Sequence, residues 1–210
     1  VASIQGNSWL VSPEKVRAIL CYSHPMEPQS VVNAPLVEAA KQLGNVEVRW
    51  LDELYPSLKM TPEQVAEEQK IVEKADTVFF QFPVYWYSSP PSLKVFMDSV
   101  MAYGWAYGSK HVIAGKKFRA ICTCGGTTES YGGEFTGPDI TKRLNQGFRF
   151  CKCDPLPSFI VFSDAITDKL KDGCLKLFST PLALVLLGQV NNCGAVRGLP
   201  FCLRIPGRCL

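Results

Sequence analysis

Histidine is nearly absent from this chain: His24 and His111 are the only two. Nine cysteines are present, but none shows C-x₂-C spacing and the C-x-C pairs among them have no histidine close by, so a conventional zinc site is not expected. Long apolar runs are missing as well. The longest, "LALVLL" from Leu182 to Leu187, falls far short of the roughly 18 residues that span a bilayer. The N-terminus has no basic, then apolar, then small-residue leader pattern, so a cytoplasmic address is expected. Neither sign of charge dominates: 22 basic against 19 acidic side chains leave +3. Without a block of Lys and Arg among aromatics, that small excess excludes nucleic acid as the expected partner. Neither G-x-G-x-x-G nor G-x-x-x-x-G-K-[ST] occurs, which removes the common dinucleotide and P-loop motifs. The cysteine total is odd, and four of the nine form two C-x-C pairs, Cys122/Cys124 and Cys151/Cys153. Reduced thiols, not a disulfide framework, are the expectation.

What is present is an alternation of short apolar runs with segments of helical period. Strands are predicted over "RAILCYS" (Arg17 to Ser23), "VEVRWL" (Val46 to Leu51), "TVFFQF" (Thr77 to Phe82), "KFRAICTC" (Lys117 to Cys124) and "SFIVF" (Ser158 to Phe162). Helices are predicted from Ser30 to Gly44, with Ser30 as cap, and from Thr61, with Pro62 in its first turn. Others run from Pro91 to Met101, from Asp139 to Phe150, and from Thr167 to Phe178. The alternation implies an α/β fold with a five-stranded parallel sheet and helices on both faces. Ligands of such sheets sit beyond the carboxyl ends of the strands, so the loops after the strands are the segments to read for chemistry.

Three of those loops are polar, aromatic, or rich in Gly and Pro. "SHPMEPQS" leads into a helix N-terminus, where unpaired N–H groups form a seat for phosphate. Taken alone, His24 there is also consistent with a loop histidine satisfied by backbone. "PVYWYSSP" packs three aromatics between prolines that fix the loop's shape, suiting it to the edge of a flat heteroaromatic ring. A hydrophobic plug or a dimer contact is the plainer alternative. "TCGGTTESYGGEF" offers adjacent glycines for a close backbone approach and a tyrosine, Tyr131, that could cover a ring. Together they describe a flavin site.

These motifs resemble the NAD(P)H:quinone oxidoreductases of the flavodoxin-like fold, a family that includes soluble diaphorases, modulators of drug activity and potassium-efflux ancillary oxidoreductases. The resemblance runs from Arg17 to Phe178 and is strongest in "SHPMEPQSVVN", "QFPVYWYSSPPSLK" with the later "YGWAYG", and "TCGGTTESYGG". It implies a flavodoxin-like domain over residues 1–178, with 1–16 as an N-terminal extension and 179–210 as a tail of unassigned role. It also implies FMN or FAD as cofactor and NAD(P)H as co-substrate. His24, Ser30, Val32 and Asn33 would hold the phosphate or adenylate portion, and Pro83, Val84, Tyr85, Trp86 and Tyr87 would line the ring. Thr123, Cys124, Gly125 and Gly126 would present backbone donors to it, and Tyr131 would stabilise its reduced form.

The implied reaction is a two-electron, ping-pong transfer from NAD(P)H through flavin to quinones, or to nitro or azo compounds, in a homodimer with the site at the interface. The segment "YGWAYG" would belong to that interface. Two other classes compete: a flavin-binding regulatory subunit docking on a membrane transporter, and a one-electron carrier, for which a slightly basic chain is poorly suited. The sequence departs from the pattern at Cys124, where Thr is common, and at Thr136, which replaces a proton-relaying histidine found in some members. The tail after Ser179 has no acidic residue, three Arg and three Cys, and matches nothing in the family.

Overall fold

In a computed structural model, residues 18–26, 30–42 and 46–165 are described. The expected Thr167–Phe178 helix and the tail from 179 lie outside them. Six parallel strands form one sheet: β1 (Ala18–Tyr22), β2 (Val46–Trp50), β3 (Thr77–Pro83), β4 (Lys117–Thr123), β5 (Asp154–Pro155) and β6 (Phe159–Val161). The order is β2-β1-β3-β4, with β5 and β6 both paired to the outer side of β4. β1 and β3 are central and read as near-continuous apolar runs because both of their faces are covered.

Five strands were expected and six are found. The fifth ladder position is divided between β5 and β6, because Pro155 and Pro157 have no N–H to donate. Leu156, between the two prolines, still donates to the Phe118 carbonyl at 2.7 Å.

α1 (Asn33–Lys41) lies on one face and α3 (Pro62–Lys74), α4 (Pro91–Val100) and α5 (Gly137–Phe150) on the other; α2 (Leu51–Leu54) is a single turn after β2. α3 starts where its capping signal stands: Thr61 Oγ1 accepts from Gln64 N–H and Gln64 Oε1 accepts from Thr61 N–H. α1 starts later than expected. Its N-cap is Val32, not Ser30, although Ser30 Oγ accepts the Ala34 N–H at 3.1 Å.

The α1 face of the core holds Leu20, Tyr22, Phe79 and Ile121 against Leu36, Val37 and Ala40. The opposite face is aromatic: the Phe118 and Phe148 rings stack at 3.7 Å, and Phe80 meets Phe118 edge-on at 4.9 Å. Each fully buried Phe contributes roughly 1.5–3 kcal/mol relative to exposure.

Register decides where chemistry can occur. Tyr22 pairs with Gln81 and Pro83 with Thr123, so β1, β3 and β4 end nearly level. The strand order reverses between β1 and β3, which makes this end of the sheet the switch point where ligands of such folds bind.

Candidate functional site

The loop after β1 is drawn inward. Ser23 and Ser92 hydroxyls meet at 2.5 Å in the interior, and His24 N–H donates to Asp52 Oδ2 at 2.7 Å. His24 itself is buried, its ring 6.0 Å from that of Tyr22. Asn33 is buried too: its Nδ2 donates to Thr123 Oγ1 at 2.7 Å, and Gln81 Nε2 donates to the Asn33 carbonyl at 2.9 Å. The start of α1 is thus fastened to the ends of β3 and β4. One Asn33 amide N–H, expected as a donor toward a ligand, is used in that fastening. Val32 leans on the α1-side core.

The loop after β3 is a strained hairpin. Val84 N–H donates to the Thr123 carbonyl at 2.8 Å, continuing the ladder past Pro83. Tyr85 and Ser88 then exchange two backbone bonds of 3.0 and 2.9 Å around Trp86 and Tyr87, whose φ angles are 49° and 57°. Positive φ at both central positions is the signature of a type I′ turn, normally built from Asn and Gly. Two large aromatics there cost roughly 1–2 kcal/mol each. Trp86 recovers nothing inside this chain, being 97% exposed. Strain held without internal return points to an outside ligand or partner.

The loop after β4 closes the rim. Cys124 N–H donates to the Val161 carbonyl at 2.8 Å and Ser163 N–H to the Gly126 carbonyl at 3.0 Å. A Cβ on Gly125 would meet nothing within 4 Å, whereas one on Gly126 would come to 3.0 Å from the Tyr131 ring. Open space over Gly125 leaves its backbone accessible to a flat ligand; the glycine at 126 makes room for Tyr131. The Tyr131 ring lies 5.6 Å from Tyr87 and 5.3 Å from Phe162, and Tyr87 meets Phe135 at 5.1 Å. Burial first, then the Cys124 thiol, pushes the Tyr131 hydroxyl up to about 12. Cys124 is pushed up to about 11 by burial. Both are protonated at neutral pH.

The three loops therefore meet: Asn33 to Thr123 joins the first to the third, and Tyr87 to Tyr131 joins the second to the third. Backbone N–H groups, flat apolar rings and a protonated phenol share one rim, a donor set that fits a planar heterocycle bearing a phosphate tail.

The sequence profile of the flavodoxin-like fold matches residues 17–175. The chain belongs to that family. It is 37% identical over 153 residues to the glutathione-regulated potassium-efflux system ancillary protein KefF of Klebsiella pneumoniae (strain 342), covering 71% of this chain and 85% of that protein. Among solved structures it resembles general stress protein 14 of Treponema denticola in complex with FMN, with TM-score 0.74 and 26% identity over 83% of this chain and 99% of that one. An NADPH-quinone reductase from P. pentosaceus has TM-score 0.68 at 21% identity, over 79% of this chain and 97% of its own, a likeness of fold. The flavodoxin-like fold and the likeness to potassium-efflux ancillary proteins, both read from the motifs, are borne out.

All fourteen residues singled out from the sequence lie in the three loops, at the strand ends they leave or, for Asn33, at the first residue of α1. The flavodoxin-like family member differs from the expected site chiefly in what its own contacts consume. Thr136 is the N-cap of α5, where its N–H and hydroxyl both donate to Asp139 Oδ2. Sequence reasoning missed the supports: Asp52 and Ser92 behind the first loop, Gln81 behind Asn33, and Phe135 and Phe162 beside Tyr87 and Tyr131. Only Gln81 left a signal, as a lone polar residue inside the apolar run "TVFFQF".

Proposed function

We propose that this protein is an FMN-dependent NAD(P)H:quinone reductase. The observation that carries the reading is the joining of three loops at the β1/β3 switch point through the Asn33–Thr123 bond and the Tyr87–Tyr131 contact. The FMN named for a relative at TM-score 0.74 favours FMN over FAD. When bound, the flavin would supply two-electron chemistry, taking a hydride from NAD(P)H and passing it to a quinone.

The chain's residues would do the positioning. At the start of α1 the Ala34 N–H is taken by Ser30 Oγ and Pro35 has none, so the Asn33 N–H would seat the phosphate, with Ser30 and His24 close to that seat. Backbone groups of Pro83 to Tyr85 follow the ring edge, while Trp86 and Tyr87 flank it. Thr123, Cys124, Gly125 and Gly126 line its polar edge, with Gly125 and Gly126 offering backbone N–H groups. Tyr131, protonated well past neutral pH, donates where negative charge develops on reduction. With Thr136 engaged in capping α5, the proton relay of some relatives has no counterpart at that position, and Tyr131 or water carries the proton.

A homodimer goes with this reading. Trp86, Tyr103 and Phe150 hold their rings in solvent in the single chain, at 97%, 72% and 64% exposure. The decisive experiment is spectroscopic: the purified protein is expected to be yellow, to bleach with NAD(P)H and to recover with a quinone. A colourless protein that takes up no added FMN rejects the proposal.

A second reading, regulatory docking on a membrane transporter, is favoured by the name of the KefF relative at 37% identity. Among the described residues no helix is long and apolar enough to cross a membrane, so such a role would be that of a peripheral subunit. Co-purification with the cation-efflux protein of its own organism tests it.

A further inference from the structure

We propose that Gln81 is a positioning residue: its buried amide fixes the direction of the Asn33 amide and so makes the Thr123 hydroxyl a donor toward a bound flavin. The proposal rests on the flavin-binding reading above and assigns one polar contact of that site.

Gln81 lies in β3 between Phe80 and Phe82 and is fully buried. Its Nε2 donates to the Asn33 carbonyl at 2.9 Å and to Asn33 Oδ1 at 3.3 Å. A main-chain carbonyl only accepts, so the Gln81 atom facing it is the nitrogen. That nitrogen calls for an acceptor from the Asn33 side chain, which turns Oδ1 toward Gln81 and Nδ2 away. Asn33 Nδ2 accordingly donates to Thr123 Oγ1 at 2.7 Å. A hydroxyl that accepts there directs its own hydrogen elsewhere. Among the described residues nothing accepts that hydrogen. Thr123 ends β4 level with Pro83, at the rim where the three loops meet. The polarity is decided in the core and delivered at the rim.

The plain alternative is that these bonds only fasten α1 to the sheet. Two points weigh against it. Gln81 Oε1 is buried without a hydrogen-bond partner, a cost that an apolar side chain of the same length avoids. Fastening is also indifferent to which way the amides point. A ligand edge that gains negative charge on reduction is not, because only a donor stabilises it.

The test compares Gln81→Met, which keeps the length and removes the amide, with Thr123→Val, Thr123→Ser and the Gln81→Met/Thr123→Val pair. The first reading is taken without flavin, by NMR of the Asn33 side-chain amide. Its hydrogens are expected to exchange with water about tenfold faster in Gln81→Met than in wild type. The second reading is the midpoint potential of bound FMN, which gives the ratio of reduced to oxidised FMN affinity. Thr123→Val is expected to cut that ratio about tenfold, a fall of about 30 mV for a two-electron couple. Gln81→Met should do the same, the pair should add nothing further, and Thr123→Ser should stay within about threefold of wild type. Unchanged amide exchange in Gln81→Met overturns the proposal, as does a wild-type potential in that variant or independent addition in the pair. Wild-type protein that binds no FMN overturns the functional reading and the donor role with it, an outcome the exchange measurement separates from a silent Gln81.

Discussion

At the scale of single residues, the turn at Trp86 and Tyr87 sets stability against binding. Trp86 occupies a left-handed backbone position and contributes almost no buried area within the chain. Glycine adopts that position freely. Trp86→Gly is therefore expected to stabilise the flavin-free protein by about 1 kcal/mol, or about 2–4 °C in melting temperature, while weakening FMN binding about tenfold. A thermal melt and a flavin titration on the same sample check both signs; destabilisation with unchanged affinity would remove the strain argument. The interior offers the reverse case. Glu68 is fully buried, bonded by the Arg49 guanidinium and by the Tyr55 hydroxyl at 2.5 Å. Burial and this carboxylate push the Tyr55 hydroxyl well up, so it remains a donor at any working pH. Arg49→Ala leaves an uncompensated interior charge and is expected to cost about 3–5 kcal/mol in urea unfolding. Glu68→Gln with Arg49 intact should cost less, because a neutral amide still accepts from both partners.

At the scale of elements, legibility followed local signals. α3 begins where Thr61, Pro62 and Gln64 say it does, because those residues complete its first turn themselves. α2 could not be read: four residues carry no period, and the turn forms because Leu51 is buried beneath it. The division of β5 from β6 was visible only as two prolines, since pairing to β4 is a tertiary event. α5 shows a cap that the sequence carried and the reading passed over. Bonds from the Thr136 hydroxyl, then from its N–H, hold the Asp139 carboxyl below the usual carboxylate range. A carboxyl whose folded pKa is lowered stabilises above its unfolded value, near 3.9, and loses that contribution as pH falls through the folded one. Asp139→Asn should consequently flatten the loss of helical signal between about pH 4 and pH 2. Circular dichroism across that range, with wild type alongside, decides it; identical acid limbs would show that the cap does not link to folding.

At the scale of the molecule, the flat apolar surfaces fall into two groups. Tyr87, Tyr131, Phe135 and Phe162 touch one another at the rim, within reach of a ligand. Tyr103, Tyr107 and Phe150 form a second row, with ring separations of 5.8 and 5.3 Å. In the first group Tyr87 and Tyr131 were legible because they follow strands in sequence, whereas Phe135 and Phe162 were not; the second was legible only as the segment "YGWAYG", since Phe150 arrives from the far end of α5. Gly108 shows that the second row is built, for a Cβ there would stand 2.3 Å from the Tyr103 ring. Rings arranged this tightly yet left in water have little value to a lone chain, and burying them at roughly 25 cal/mol per Å² gives two chains a reason to associate. Phe150 ends α5 and is mostly exposed, so a charge there leaves the core untouched. Phe150→Asp is thus expected to halve the mass seen by sedimentation while keeping the wild-type circular dichroism spectrum. If that row is the dimer contact beside the flavin, the monomer should also bind FMN more weakly. A variant still sedimenting as a dimer would move the interface away from Tyr103, Tyr107 and Phe150, and a wild-type monomer would leave the site to be completed by one chain alone.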